Sequence, residues 1–71
     1  MAKPEHLWIN GLWDRIYDEI YRQGKTKKDI AERCGFGRKN LLGYNTPSIP
    51  VFALLCNELN VSADYLLFGK R

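Results

Sequence analysis

Gly35 is the position that most constrains this chain, because it separates two short stretches that each read as helix and leaves room between them only for a tight turn. From Thr26 the chain runs Lys27, Lys28, Asp29, Ile30, Ala31, Glu32, Arg33 and Cys34, so Ile30, Ala31 and Cys34 fall at i, i+1 and i+4 on one helical face. Thr26 can accept a hydrogen bond from a free first-turn amide. Gly35 can adopt the left-handed conformation that closes a helix without a Cβ clash. A second helix is expected to restart at Gly37, with Phe36 plugging the corner and Leu41 and Tyr44 facing inward. Arg38, Lys39, Leu42 and Gly43 are expected to point away from the core. Residues 26–44 then read as a helix-turn-helix, and a basic, outward helix of that size fits a DNA major groove.

Charge is concentrated on the same segment. Between Arg22 and Lys39 stand seven basic residues (Arg22, Lys25, Lys27, Lys28, Arg33, Arg38, Lys39) against Asp29 and Glu32, a local excess of +5, while the rest of the chain carries four basic and six acidic residues and a charge of −2. Such an asymmetry suits a polyanionic partner and makes binding strongly salt-dependent, although a lysine-rich surface can also simply be solvated. A length of 71 residues fits a single domain (1–71) with a small core and leaves little room for an elaborate catalytic cleft.

Cys34 and Cys56 lie 22 positions apart with no Cys-x-x-Cys spacing, and His6 is the single histidine, so no metal site is expected. Both cysteines occupy apolar slots of helical patterns, which points to reduced core thiols and a cytoplasmic location. Met1 to His6 is polar and no hydrophobic segment follows it, so no secretion signal is expected. No apolar run approaches the ~20 residues needed to cross a bilayer, and a membrane partner is not expected. No catalytic residues and no cofactor are assigned: there is no Cys-His pair, carboxylate dyad or phosphate-cradling glycine loop.

Along the chain the pattern is all-α. Residues 1–5 read as a loose arm, followed by a first helix from about Glu5 to Gln23 with apolar side chains at Trp8, Ile9, Leu12, Trp13, Ile16, Tyr17, Ile20 and Tyr21. The stripe is broad, so Trp8, Trp13 or Tyr17 could serve a protein partner in place of the core. Asn45, Thr46 and Pro47 form a break, and Ser48 caps a fourth helix whose inward face is Ile49, Phe52, Ala53, Leu55, Cys56 and Leu59. Val51 and Leu54 fall off that face. Asn60 closes this helix, Val61 drops into the core, and Ser62 caps a last short helix from Ala63 to Phe68.

From Trp13 to Gly69 this order resembles the lambda-repressor/Cro-like helix-turn-helix domains of phage and bacterial regulators. The resemblance is carried by Thr26 to Phe36, by Pro47-Ser48-Ile49, and most specifically by Asn60-Val61-Ser62-Ala63-Asp64-Tyr65-Leu66-Leu67. It implies a compact five-helix fold, sequence-specific binding of double-stranded DNA and control of transcription. By position it also implies base contacts from Arg38, Lys39, Asn40 and Leu42, and phosphate contacts from Thr26, Lys27, Lys28, Gly37, Asn45 and Thr46. Three features depart from the family pattern: Gly43 stands where a long polar base-reader is usual, Leu42 is apolar at a polar site, and the loop from Tyr44 to Pro47 is short. The expected function is a homodimeric repressor of phage or mobile-element type, with Val51, Leu54, Tyr65 and Phe68 as the dimer patch. The alternative is a protein-interaction module, an antirepressor or regulatory adaptor on the same fold.

Overall fold

Gly11 decides where the first helix starts. In the computed structural model, which describes residues 9–70, it adopts a left-handed conformation (φ 79°) immediately before α1 (Leu12–Arg22). The expected helix from residue 5 is therefore shorter within the described range, with a turn at 9–11 closed by the Leu12 amide on the Ile9 carbonyl (3.3 Å). The arm at 1–5, His6 and Trp8 lie outside the described residues. On α1, Leu12, Trp13, Ile16 and Ile20 are buried, as the period of the stripe requires.

α2 (Lys27–Cys34) opens on a reciprocal cap. The Thr26 hydroxyl accepts from the Asp29 amide (3.1 Å), and the Asp29 carboxylate accepts from the Thr26 amide (3.2 Å). Gly35 (φ 81°) closes α2, its amide bonded to the Ala31 carbonyl (2.9 Å). A single 3-10 turn (Arg38–Leu41) follows. α3 (Ile49–Leu59) starts where Ser48 accepts from the Val51 amide and ends at left-handed Asn60. α4 (Ala63–Phe68) is capped in the same way by Ser62 on the Tyr65 amide. The described residues contain these four α-helices, the 3-10 turn and no strand, and the turn stands where the third α-helix was expected.

α1 packs on α4 and α2, α2 on α3 and the 3-10 turn, and α3 on α4. Ile16, Ile20, Ile30, Leu41, Leu55, Leu59 and Leu66 are fully buried between them. Four residues expected inside are not, the first being Tyr21 at the end of the α1 stripe, which is 65% exposed. Ile49 is 83% exposed and Ala53 is exposed, because the buried line of α3 runs through Leu55 and Leu59, and residues 49 and 53 project well off that line at 100° per residue. Tyr44 is 78% exposed, since left-handed Gly43 turns the chain before it. Of the expected dimer patch, Val51 and Tyr65 are half-buried against the chain's own core, whereas Leu54 (41%) and Phe68 (63%) are exposed. No helix among the described residues is long and apolar enough to cross a membrane.

α4 has six residues, so its carbonyls outnumber the amides that could bond them within the helix. Arg15 of α1 supplies two of the missing donors: Nε bonds the Leu66 carbonyl (2.7 Å) and Nη2 the Leu67 carbonyl (2.6 Å). A guanidinium at a helix C-terminus also opposes the negative end of the dipole. Arg15→Met, which keeps the aliphatic stem and removes the donors, is expected to lower stability by about 2 kcal/mol in urea denaturation, with α4 amides losing hydrogen-exchange protection first.

Candidate nucleic-acid interface

Only five residues separate Gly37 from Gly43, too few to repay the nucleation of an α-helix. The chain instead makes i→i+3 bonds, at its ends from the Asn40 amide to the Gly37 carbonyl (3.1 Å) and from the Leu42 amide to the Lys39 carbonyl (3.4 Å). The Asn40 side-chain amide donates to the same Gly37 carbonyl (3.1 Å), which secures the start of the turn.

From behind, α1 holds this segment by two aromatic side chains one helical turn apart. The Tyr17 hydroxyl donates to the Leu41 carbonyl (2.6 Å), and the Trp13 indole Nε1 donates to the Asn45 carbonyl (3.0 Å). Their rings stack with centroids 5.6 Å apart and an interplanar angle of 29°. Gly43 lies against this pair with φ 80°; a Cβ there would sit 2.7 Å from the Tyr17 hydroxyl and 3.5 Å from Trp13 Cγ. Gly43 therefore faces the aromatic pair, contrary to its expected outward position, and its lack of a side chain is what lets the loop approach. Trp13 and Tyr17 are engaged within the chain and do not form a free partner surface. Burial, followed by the charges of Tyr21, Asp14 and Tyr44, pushes the Tyr17 phenol above its ordinary pKa. The Lys27 ammonium stands 4.1 Å from the centroid of the Tyr17 ring, a cation–π contact.

Folding sorts the basic residues of the +5 segment. Lys25 and Arg33 both reach Glu58 of α3 (3.6 and 3.5 Å), and Arg22 reaches Glu19 (3.6 Å). Lys28, Arg38 and Lys39 are exposed and make no ion pair among the described residues. Beside the 3-10 turn runs an open groove of about 480 Å³, bounded by Lys39, Asn40 and Leu42 on one side and by Asn45 to Ser48 on the other. It brings together Lys39, Asn40, Leu42, Asn45 and Thr46 of the expected contacts. Thr26, Lys27, Lys28, Gly37 and Arg38 lie off its lining. Leu42 is half exposed (50%), as expected for an outward residue. Tyr44, which the helical pattern assigns to the core, belongs to the lining; the adjacent Gly43 is the sequence signal that separates it from a continuing helix.

Cys34 and Cys56 are unpaired thiols, each half-buried, and burial raises both above their ordinary pKa. Among the described residues no three His, Cys, Asp or Glu side chains gather as a metal-ligand group. No protein family, no curated protein and no solved structure matches this chain.

The clamp can be tested by stability. Gly43→Ala is expected to destabilise by about 2 to 3 kcal/mol, combining left-handed strain with displacement of the Tyr17 hydroxyl. In a Tyr17→Phe background the same substitution is expected to cost about 1 kcal/mol less, a coupling read from a double-mutant cycle in urea. Because the folded phenol titrates above the unfolded one, Tyr17 adds stability below the unfolded pKa that is lost as pH rises through the folded pKa. Tyr17→Phe is accordingly expected to flatten the alkaline fall in melting temperature above about pH 10 relative to the parent chain.

Proposed function

We propose that this chain is a sequence-specific DNA-binding transcriptional regulator, a repressor of phage or mobile-element type that resembles the lambda-repressor/Cro-like helix-turn-helix domains. The supporting observation is the exposed cation set Lys28, Arg38 and Lys39, of which Lys39 stands with Asn40 on a groove beside the 3-10 turn that follows Gly35. In this reading Arg38 and Lys39 donate to guanine O6 and N7, Asn40 contacts adenine or a backbone oxygen, and Leu42 contacts a thymine methyl. Lys28, with Thr46 and the backbone around Asn45, holds phosphate. Lys27 adds positive charge while leaning on Tyr17. Four residues in a 3-10 turn make a short reading element, which suits modest sequence specificity and favours pairing of two chains on a palindromic site.

A second reading is supported by the exposed Leu42 and Tyr44, apolar groups beside the same groove: a protein-interaction module, an antirepressor or adaptor on this fold. Titration of salt against binding to random duplex DNA separates the two. A regulator loses affinity with a log–log slope of about −0.9 per phosphate neutralised, whereas an adaptor binds no duplex even at low salt. In selection from a random duplex pool, Arg38→Ala is expected to change the recovered motif. Lys28→Ala is expected to weaken all sequences alike and to reduce the salt slope by about 1. Recovery of one motif at undiminished affinity by both variants would sink these roles.

A further inference from the structure

Tyr44 is the most exposed aromatic residue among the described residues (78%), and within them its side chain makes no hydrogen bond and no ring contact. The two aromatic residues behind it differ on both counts: Trp13 and Tyr17 stack on each other and bond carbonyls on either side of Tyr44, at Asn45 and Leu41. The loop that carries Tyr44 is therefore pinned before and after it, so its ring is held out in water on a fixed support. An aromatic ring held in this way at the side of a groove is a platform for another ring. We propose that the groove beside the 3-10 turn takes an unpaired base of single-stranded DNA, stacked on Tyr44, with Lys39 on the adjoining phosphate; this rests on the proposed function only in giving the groove to nucleic acid.

The occupant follows from what the groove offers. Its volume of about 480 Å³ lies in the range of sites that take small ring ligands. No acidic residue lines it and Lys39 is the one cation of its lining, so an anionic strand is favoured and a basic peptide is not. The Asn40 side-chain amide donates to the Gly37 carbonyl, which leaves its Oδ1 oxygen as an acceptor for the edge of a base. On the other side, the Ser48 hydroxyl accepts from the Val51 amide and keeps its own proton to donate. In a duplex the faces of the bases are covered by their neighbours, and a protein reaches only base edges from the grooves. The face of Tyr44 therefore meets a matching face only where a base is unpaired, and every base has one, so stacking there is tolerant of sequence. Elements that read duplex edges project into a groove of the DNA, whereas here the four-residue turn forms one wall of a recess.

The test is fluorescence anisotropy of a labelled single strand of DNA of about ten nucleotides, mixed in sequence and unable to pair with itself, at about 50 mM salt. An abasic strand of the same length, which keeps every phosphate and lacks the bases, is the comparison. The full parent chain is expected to bind the intact strand at least about fivefold more tightly than the abasic one. Tyr44→Ala and Tyr44→Leu are each expected to remove that preference, the second because leucine keeps apolar bulk without a π-face, whereas Tyr44→Phe and Tyr44→Trp are expected to keep it. Lys39→Ala is expected to weaken intact and abasic strands alike and to lower the salt slope by about 0.7, the value for one phosphate of a single strand. Because Tyr44 is exposed, its four variants are expected to match the parent chain in circular dichroism and urea midpoint. An intact strand bound no better than the abasic one overturns the inference, as does a preference that survives in Tyr44→Leu or is lost in Tyr44→Phe. Salt-sensitive duplex binding with no preference for the intact single strand overturns it and leaves the proposed function standing, and a preference for the intact strand without duplex binding does the reverse. A chain that binds neither strand nor duplex at low salt overturns both and leaves the groove to a protein partner.

Discussion

Three side chains of α1 and that of its C-cap residue Gln23 take hold of the carbonyl oxygens of other segments, and the placement of those segments depends on it. Trp13 bonds Asn45, Arg15 bonds Leu66 and Leu67, Tyr17 bonds Leu41, and Gln23 bonds Leu59 at the end of α3 (2.7 Å). α4 and the 3-10 turn are short, and a short helix leaves most of its carbonyls without an intrahelical partner. An unsatisfied buried carbonyl costs about 1 to 3 kcal/mol, so leaving several orphaned would consume a large part of the stability available to a chain of this size. α1 meets this demand while its Ile16 and Ile20 line the core. Gln23 also donates to Glu19 (3.0 Å), and Glu19 reaches Arg22, so the C-terminal turn of α1 is tied both to α3 and to itself.

How far this was legible varies with the range of the interaction. The caps were readable because they are local: Thr26, Gly35, Ser48, Asn60 and Ser62 each act within a few residues, and each stands at the boundary its chemistry predicts. The buried leucines and isoleucines were readable from period. Arg15 was not, since its partners lie 51 and 52 residues away and an arginine on a helix surface carries no mark of a distant carbonyl. Trp13 and Tyr17 gave half the answer: a buried indole or phenol requires a partner for its polar end, but nothing in the sequence says which one. Ile49 was misplaced because a helix as apolar as α3 gives no contrast between its faces, and phase cannot be read without contrast.

Folding also changes what the charge pattern means. Summed along the sequence, residues 22–39 carry +5, but Arg22, Lys25 and Arg33 are drawn toward Glu19 and Glu58, and Lys27 lies over an aromatic face. These exposed or partly exposed pairs are individually weak, of order 0 to 1 kcal/mol, so their main effect is to orient side chains. The cations left outward are Lys28 at the start of α2 and the adjacent pair Arg38 and Lys39, on either side of the Gly35 turn.

The 3-10 turn is where local and long-range preferences compete, and magnitudes decide the outcome. Continuing as α-helix through Leu42, Gly43 and Tyr44 would add about three backbone bonds, each worth roughly 1 kcal/mol net, less about 1 kcal/mol for glycine in a helix interior. Tyr17 and Trp13 offer two bonds of similar worth to Leu41 and Asn45, together with the packing of a stacked aromatic pair against a residue without a Cβ. Only the glycine permits this clamp, since a Cβ at position 43 would sit 2.7 Å from the Tyr17 hydroxyl and hold the loop away from the pair. What makes position 43 unusable as a long polar arm is thus the same feature that fixes the short turn and orients Tyr44 toward solvent. The shallow reading element and the aromatic clamp are one structural choice, made at a single residue.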